Sequence, residues 1–212
     1  MGLEEELARV LPLVREAVKL GVPVSVDTYK TEVMQAVLDL GADIINDIWA
    51  LRQPGAAQVV AAHGQCGVCL MHMHSVPQNM HQEHMQGDAV QQVRDFLAAA
   101  AQALEALCVD RQRIALDAGT GFGKTVAQNF ALLARERELA SLGYPLLAGW
   151  SRKGSLGQIT GLPVTERMVP SVAAALLSVE RGARIVRVHD VRDTVMALKV
   201  WQAMHDNDAQ PG

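Results

Sequence analysis

The sequence lacks several features that mark whole classes of protein. It has no apolar run near the roughly 18 residues that a membrane-spanning helix needs. Its net charge of −4 gives no basic field for nucleic acid or an anionic membrane. Three cysteines, an odd number, favour reduced thiols over a disulfide framework, and the acidic start MGLEEELARV is unlike a secretory signal. These observations predict a cytoplasmic protein with a single domain over residues 1–212.

What the sequence does contain is one repeated pattern, in which a short apolar run is followed by a polar tip and a helical stretch. Residues 3–20 have apolar positions at helical spacing, and Gly21 ends them. The predicted strands are 22–28, 42–48, 67–73, 113–119, 144–150 and 183–190, and the predicted helices that separate and follow them are 31–40, 54–63, 88–107, 126–141, 165–181 and 191–205. Strands that alternate with helices predict right-handed βαβ units and a parallel sheet.

Polar residues stand at the carboxyl ends of nearly every predicted strand. In a βα-barrel these ends meet at one face, where the active site is built. An open doubly wound sheet places its ligand only where the strand order reverses. Functional groups after six consecutive strands therefore favour the barrel, although a complete barrel has eight strands and the sequence supplies six.

Three of these residues, Asp27, Asn46 and Asp117, would together present oxygen acceptors and one amide. Such an array suits a guanidine-like or aminopyrimidinone ring, whose N–H groups lie in one plane. The alternative is that each side chain caps the helix that follows its strand. The occurrence of all three at strand ends favours the binding site.

Two basic segments, SRKG (151–154) and RVHD (187–190), follow the last two predicted strands, where barrels commonly bind phosphate. Arg187 and His189 are two residues apart in a predicted strand, so their side chains are expected on one face. An arginine side chain can donate a bidentate pair of hydrogen bonds to phosphate oxygens, and a histidine side chain can donate a hydrogen bond from a ring nitrogen that titrates. Lys153 could serve a phosphate or a ring carbonyl, and the alternative is that these are surface charges at the start of a helix.

The segment CGVCLMHMH (66–74), with His81 and His84 nearby, suggests a metal or redox site. However, Cys69 lies inside a predicted strand, where residues three apart point to opposite faces. Cys66 and Cys69 are therefore predicted to be unreactive core thiols, and the two later histidines to belong to a polar loop.

The segment ALDAGTGFGKT (115–125) has two interpretations. Ala118 to Thr125 differs only at its first residue from the pattern G-x-x-x-x-G-K-[ST], which cradles nucleotide phosphates. Against a nucleotide site stand Ala118 in place of glycine and Phe122, which is predicted to be exposed and suited to stacking on a flat ring. The other interpretation gives Asp117 the binding role and makes the glycines a strand-to-helix turn.

The sequence resembles the dihydropteroate synthase family. The resemblance rests on six motifs in order: SVDTYK (25–30), IINDI (44–48), CLMHM (69–73), LDAGTGFGKT (116–125), SRKG (151–154) and RVHDV (187–191). It implies a (β/α)8 TIM barrel, usually a homodimer. It also implies a reaction in folate biosynthesis, in which 6-hydroxymethyl-7,8-dihydropterin pyrophosphate condenses with p-aminobenzoate to give 7,8-dihydropteroate and pyrophosphate, using Mg²⁺. Sulfonamides would compete for the p-aminobenzoate site.

Carried over residue by residue, the resemblance implies a role for each motif. Asp27, Asn46 and Asp117 would bind the pterin ring, and Met71 and Phe122 would add apolar contacts. Lys153 would contact the ring and stabilise charge, and Arg187 and His189 would hold the pyrophosphate, so the catalytic roles would fall to these three. Ser151 would lie near p-aminobenzoate.

The sequence departs from the family pattern in three respects. Ala118 and Thr120 replace residues of the usual DPGFGFGK, and Gly154 replaces the last serine of SRKS. The family's first two strands, which carry an N-V-T-P-D-S-F loop and a G-G-E-S-T-R-P-G loop, are not found in this sequence. In the family the asparagine of the first loop is the Mg²⁺ ligand, so no metal ligand is predicted here. The expectation is an incomplete barrel of six of the eight strands, in which helix 1–20 precedes barrel strand 3. The alternative function is an inactive pterin-binding fragment without the Mg²⁺ and p-aminobenzoate loops.

Overall fold

The fold is taken from a computed structural model that describes residues 1–74 and 85–208. The chain divides into two units, Met1–Met73 with Gln91–Gly119 and His74–Val90 with Thr120–Gly212. His81 and His84, predicted to belong to a polar loop, lie outside the described residues.

The first unit alternates helices and strands in the predicted order. Its elements are α1 (Leu3–Ala17), β1 (Ser25–Asp27), α2 (Thr31–Asp39), β2 (Ile44–Asp47), α3 (Ala56–Ala62), β3 (Gly67–Met71), most of α4 (Ala89–Glu105) and β4 (Ile114–Asp117). Three glutamates in the first turn of α1 and Arg15 in its last turn match the helix dipole. A 3-10 turn at Val18–Leu20 follows, and Gly21 ends it with a left-handed φ of 70°.

The strands of the first unit pair in chain order and are parallel. In their register Asp27 lies beside Asn46, Asn46 beside Cys69, and Cys69 beside Ala115. Residues paired in this way point to the same side of a sheet, and so do residues two further along a strand. Met71 and Asp117, which are paired with each other, therefore share that side with Asp27 and Asn46. Asp47 points to the opposite side.

The second unit contains the remaining elements. They are α5 (Val126–Ala134), α6 (Glu136–Ala140), β5 (Leu146–Ala148), α7 (Gly154–Thr160), α8 (Met168–Glu180), β6 (Ala183–Val186) and α9 (Val191–Asp208), with β5 and β6 parallel. The prediction of one helix over 126–141 is wrong, because Arg135 has a non-helical backbone (φ −107°, ψ 21°) and separates α5 from α6. Helix α7 was not predicted from the sequence.

The last strand is shorter than predicted. It ends at Val186, so Arg187 and His189 follow the strand and do not belong to it. The backbone N–H of Arg187 still donates to Ala148 O, at 3.0 Å, so the chain leaves the sheet directly after this contact. Strand alternation therefore does not place these two side chains, although both remain at the carboxyl end of β6.

Apolar side chains explain where the helices and strands pack. In β3 every residue from Val68 to Met71 is buried, as expected of a parallel strand covered on both faces. Helix α2 buries Val33, Met34, Val37 and Leu38, which form one helical stripe. None of the helices among the described residues is long and apolar enough to cross a membrane.

Candidate functional site

Asp27 and Asn46 form a hydrogen-bonded pair at the ends of β1 and β2. Asn46 Nδ2 donates to Asp27 Oδ1 at 2.8 Å. Asn46 is buried, and its Oδ1 has no hydrogen-bond partner within the part of the chain that the structure describes. A buried amide oxygen without a donor costs about 1–3 kcal/mol. This oxygen is thus suited to accept an N–H group from a ligand.

Asp117 and Met71 lie beside this pair on the same side of the sheet. Asp117 is buried, and its Oδ1 accepts the backbone N–H of Gly119 at 2.7 Å. Cys69 is a buried residue on the same side of the sheet. The pKa of its thiol is raised well above the usual value, mainly by burial and to a smaller extent by the negative charges of Asp117, Asp27 and Asp47. The thiol therefore stays protonated and provides an apolar wall next to the carboxylates.

The helix-capping alternative does not explain these three polar residues. The residues that precede α2, α3 and α5 are Lys30, Gly55 and Thr125, so neither Asp27, Asn46 nor Asp117 is a helix N-cap. Asp117 does hold the turn after its strand through Gly119. The structure thus places Asp27, Asn46, Met71 and Asp117 together on one side of the first unit's strands.

Asp47, next to Asn46 in the sequence, has a structural role that the sequence did not indicate. Its side chain is 0% exposed, and its two carboxylate oxygens accept the backbone N–H groups of Trp49 and Leu51, each at 2.7 Å. These bonds hold a turn in which Ala50 and Leu51 have left-handed φ angles of 51° and 57°. Burial raises the pKa of Asp47 to about 6, although both backbone bonds and Arg52 oppose the rise.

The glycine-rich loop in the second unit does not favour the nucleotide-binding interpretation. Lys124 is buried, and its Nζ donates to the backbone oxygen of Phe122 at 3.1 Å. Thr125 forms a capping box with Gln128 at the start of α5. Gly123 has a φ of 69°, and a Cβ there would lie 2.7 Å from His74 O. The Gly-Lys-Thr sequence is therefore a tightly packed strand-to-helix turn.

Phe122 and Lys153 are in contact in the second unit. The Lys153 Nζ lies 4.3 Å from the centroid of the Phe122 ring, and a Cβ on Gly121 would meet Lys153 Cδ at 3.3 Å. Phe122 is half-buried, so the prediction that it is exposed is wrong. Because one face of its ring lies against an ammonium group, the phenyl ring helps to fix the position of Lys153.

The two predicted basic segments of the second unit are joined side by side. Ser151 Oγ lies 2.8 Å from His189 Nδ1 and accepts the backbone N–H of His189 at 3.1 Å. Arg152 Nη2 donates to Asp190 Oδ1 at 2.8 Å, and this pair lowers the pKa of Asp190. Arg187 and His189 are exposed at the end of β6. The spacing of the motifs gave no sign of these links.

The predicted core thiols are found as free, buried cysteines. Cys66 lies just before β3 and Cys69 within it, and neither forms a disulfide. Among residues 1–74 and 85–208, no three His, Cys, Asp or Glu side chains are grouped so that they could hold a metal ion. None of the roles that the resemblance assigns to the residues of this chain includes metal ligation.

The comparison with known protein families decides where the chain belongs. The model of the family described as "Pterin binding enzyme" matches residues 1–189, which include all six motifs up to His189. The chain belongs to the pterin-binding enzymes. The acceptor groups at the strand ends of the first unit and the basic segments of the second belong to the motifs by which the sequence resembles this family.

Other pterin-binding enzymes agree over nearly the whole chain. The dihydropteroate synthase of Neisseria meningitidis serogroup C is 47% identical over 207 residues, covering 96% of this chain and 73% of its own. A Burkholderia cenocepacia dihydropteroate synthase solved with 7,8-dihydropteroate has a TM-score of 0.94 and 53% identity, and the match covers 100% of this chain and 78% of that one. The Xanthomonas albilineans enzyme solved with 4-aminobenzoic acid has a TM-score of 0.91 and 46% identity, with 100% and 74% covered. These structures confirm the α/β barrel class.

Proposed function

We propose that this chain is a dihydropteroate synthase, which condenses 6-hydroxymethyl-7,8-dihydropterin pyrophosphate with p-aminobenzoate. The observation that carries the proposal is the buried, unpartnered Oδ1 of Asn46 beside the carboxylate of Asp27, among the residues that the structure describes. A polar group that is costly to bury without a partner points to a ligand that supplies one. The names and bound molecules of the related enzymes support the same activity.

The pterin ring is assigned to the first unit. Its ring N–H and amino groups are planar donors, and Asp27, Asn46 and Asp117 offer oxygen acceptors on one side of the strands. Met71, buried on the same side, would contact the ring's apolar face. In this role Asn46 Oδ1 gains a hydrogen-bond donor, which none of residues 1–74 and 85–208 provides.

The pyrophosphate is assigned to the second unit. The bond between the pterin methylene carbon and the pyrophosphate oxygen breaks, and the electron pair leaves with the oxygen. The amino nitrogen of p-aminobenzoate then forms the new C–N bond and loses a proton. Arg187, His189 and Lys153 would stabilise the charge that collects on the leaving group, which is the main way positioned cations and donors accelerate such a step.

Other expectations from the resemblance stay predictions. They are Phe122 as an apolar contact to the pterin, Ser151 near p-aminobenzoate, competition by sulfonamides, the single domain over 1–212, a cytoplasmic location, and the absence of nucleic acid and membrane partners. Mg²⁺ also stays a prediction; the described residues contain no group of three or more His, Cys, Asp or Glu side chains that could hold a metal ion. Gly154, Ala118 and Thr120 have no assigned effect.

The first test is direct turnover of both substrates by the wild-type chain. We expect formation of 7,8-dihydropteroate by the wild type. The KM for the pterin substrate should be about tenfold higher in Asn46→Ala, because that variant loses one hydrogen bond to the ligand and the hydrogen bond from Asn46 Nδ2 to Asp27. Asn207→Ala, on the exposed end of α9, is the matched control and should behave as wild type. Binding of the pterin substrate by calorimetry without product would favour the inactive fragment, and absence of both binding and product would reject the proposal.

We also propose that the chain forms a homodimer through α8 and α9. Side chains that are apolar and exposed cluster there, namely Met168, Val169, Leu177, Val195, Met196 and Val200. A groove of about 340 Å³ lies between the two helices and is lined by Val172, Leu176 and their neighbours. Exposed apolar surface of this kind marks a protein contact.

Sedimentation tests the homodimer. The wild type should have a mass of twice 22.9 kDa, and Val169→Asp should be a monomer. A monomeric wild type would reject the dimer.

A further inference from the structure

Ser151 contacts one nitrogen of the imidazole of His189 and leaves the other directed away. Its Oγ lies 2.8 Å from Nδ1 and also accepts the backbone N–H of the same residue at 3.1 Å. Ser151 is 9% exposed, whereas His189 is an exposed residue. Because Nδ1 and Nε2 point in different directions from the ring, Nε2 is directed away from the buried serine.

The hydroxyl group of Ser151 has one hydrogen to donate and two lone pairs to accept with. One lone pair receives the backbone N–H of His189. Within the described residues, Ser151 has no hydrogen-bond partner apart from these two groups of His189. A buried hydroxyl that donates to nothing is unfavourable. Donation from Ser151 to Nδ1 satisfies the hydroxyl and makes Nδ1 the acceptor nitrogen of a neutral imidazole.

We propose that Ser151 is a positioning residue that fixes His189 as the tautomer with its hydrogen on Nε2. The neutral ring then presents an N–H donor to an anion. The opposite tautomer would present a lone pair, which an anionic oxygen repels. The inference rests on the proposed function only in taking pyrophosphate as that anion.

A neighbouring ion pair keeps Ser151, and not a carboxylate, as the partner of Nδ1. Asp190 is next to His189 in the sequence, but both of its carboxylate oxygens accept from the guanidinium of Arg152, at 2.8 and 3.3 Å. The segments 151–154 and 187–190 are therefore linked twice, once by Arg152 and Asp190 and once by Ser151 and His189. A hydroxyl partner orients the imidazole through a hydrogen bond without bringing a charged group to Nδ1.

The tautomer can be read by ¹⁵N NMR of the histidine side chains at pH 8.5, where an ordinary imidazole is neutral. The His189 signals are assigned by their loss in His189→Gln. We expect the wild type to show a protonated Nε2 and an unprotonated Nδ1, Ser151→Ala to show a mixture of tautomers, and Ser151→Thr to keep the wild-type pattern. A protonated Nδ1 in the wild type, or no change in Ser151→Ala, would overturn the proposal.

Binding of inorganic pyrophosphate by calorimetry at the same pH tests the consequence. We expect Ser151→Ala to bind about tenfold more weakly, the order of effect of one hydrogen bond to a charged group, and Ser151→Thr to restore the affinity. Ser178→Ala is the matched control, since Ser178 in α8 is a fully buried serine whose Oγ has no partner among the described residues. It should bind as the wild type does.

The two measurements separate the inference from the proposed function. A wild type with the expected tautomer that binds no pyrophosphate would contradict the assignment of the anion and leave the positioning role of Ser151 intact. Pyrophosphate binding that is unchanged in Ser151→Ala, together with a shifted tautomer, would show that the tautomer does not control binding and would overturn that part of the inference.

Discussion

Replacing Lys153 with alanine is expected to lower kcat/KM for dihydropteroate formation by about a hundredfold or more. The Nζ group lies over the ring of Phe122, and the side chain packs on Gly121, so the ammonium is held at a defined position before any ligand binds. A preorganised charge of this kind, aimed at a leaving group, is typically worth about 10²–10³ in rate. Most of the loss should appear in kcat, because the charge on the leaving group develops in the transition state.

Two other variants test the cause of that loss. Lys199→Ala removes the same charge from an exposed position on α9 and should keep wild-type kinetics. Phe122→Leu removes the aromatic ring beneath the ammonium but keeps an apolar side chain there, and should lower kcat much less, since a partly exposed cation–π contact is worth about 0.5–1 kcal/mol. Thermal unfolding of each variant shows whether the fold is intact. Near-normal kcat in a folded Lys153→Ala would show that Lys153 has no part in the reaction.

The sequence predicts the order and type of most elements, because the apolar runs are separated by clear helical stripes. It does not predict where a strand stops. The run ARIVRVHD alternates in a way that suits a strand to its end, but β6 ends at Val186, and the chain leaves the sheet after the hydrogen bond from Arg187 N–H to Ala148 O of β5. It also predicts one helix over ARERELA, whose residues favour helix throughout, whereas the backbone at Arg135 breaks it. Helix α7 contains two glycines, which weaken any helical signal.

The polar residues of the candidate site could be found from sequence because they recur at strand ends, but their partners could not. Asn46 and Asp47 are adjacent, and the alternation of a strand predicts only that they point to opposite sides. Whether the side chain of Asn46 or of Asp47 finds a hydrogen-bond partner depends on groups that are distant in sequence, such as Asp27, and on the turn at residues 48–51. The contact between Ser151 and His189 joins residues 38 apart, and no spacing rule indicates it.

Asp47 should make the stability of the protein depend on pH in a direction opposite to that of an ordinary paired carboxylate. Its pKa is raised to about 6 because it is buried, so the folded state binds a proton more tightly than the unfolded state. Between about pH 4 and pH 6 the contribution of Asp47 to the free energy of unfolding therefore falls as the pH rises. Above about pH 6 the free energy of unfolding is lowered by the full amount. A rise of about two units corresponds to about 3 kcal/mol.

The difference between the wild type and Asp47→Asn isolates this effect, because all other titrating groups are common to both. We expect the free energy of unfolding of the wild type, relative to Asp47→Asn, to fall by about 3 kcal/mol from pH 4 to pH 7, measured by urea denaturation. Asp47→Asn keeps one acceptor oxygen for the N–H groups of Trp49 and Leu51 and Asp47→Ala keeps none, so Asp47→Ala should be less stable than Asp47→Asn by about 1–3 kcal/mol at every pH. A difference between wild type and Asp47→Asn that does not change with pH would contradict the raised pKa of Asp47.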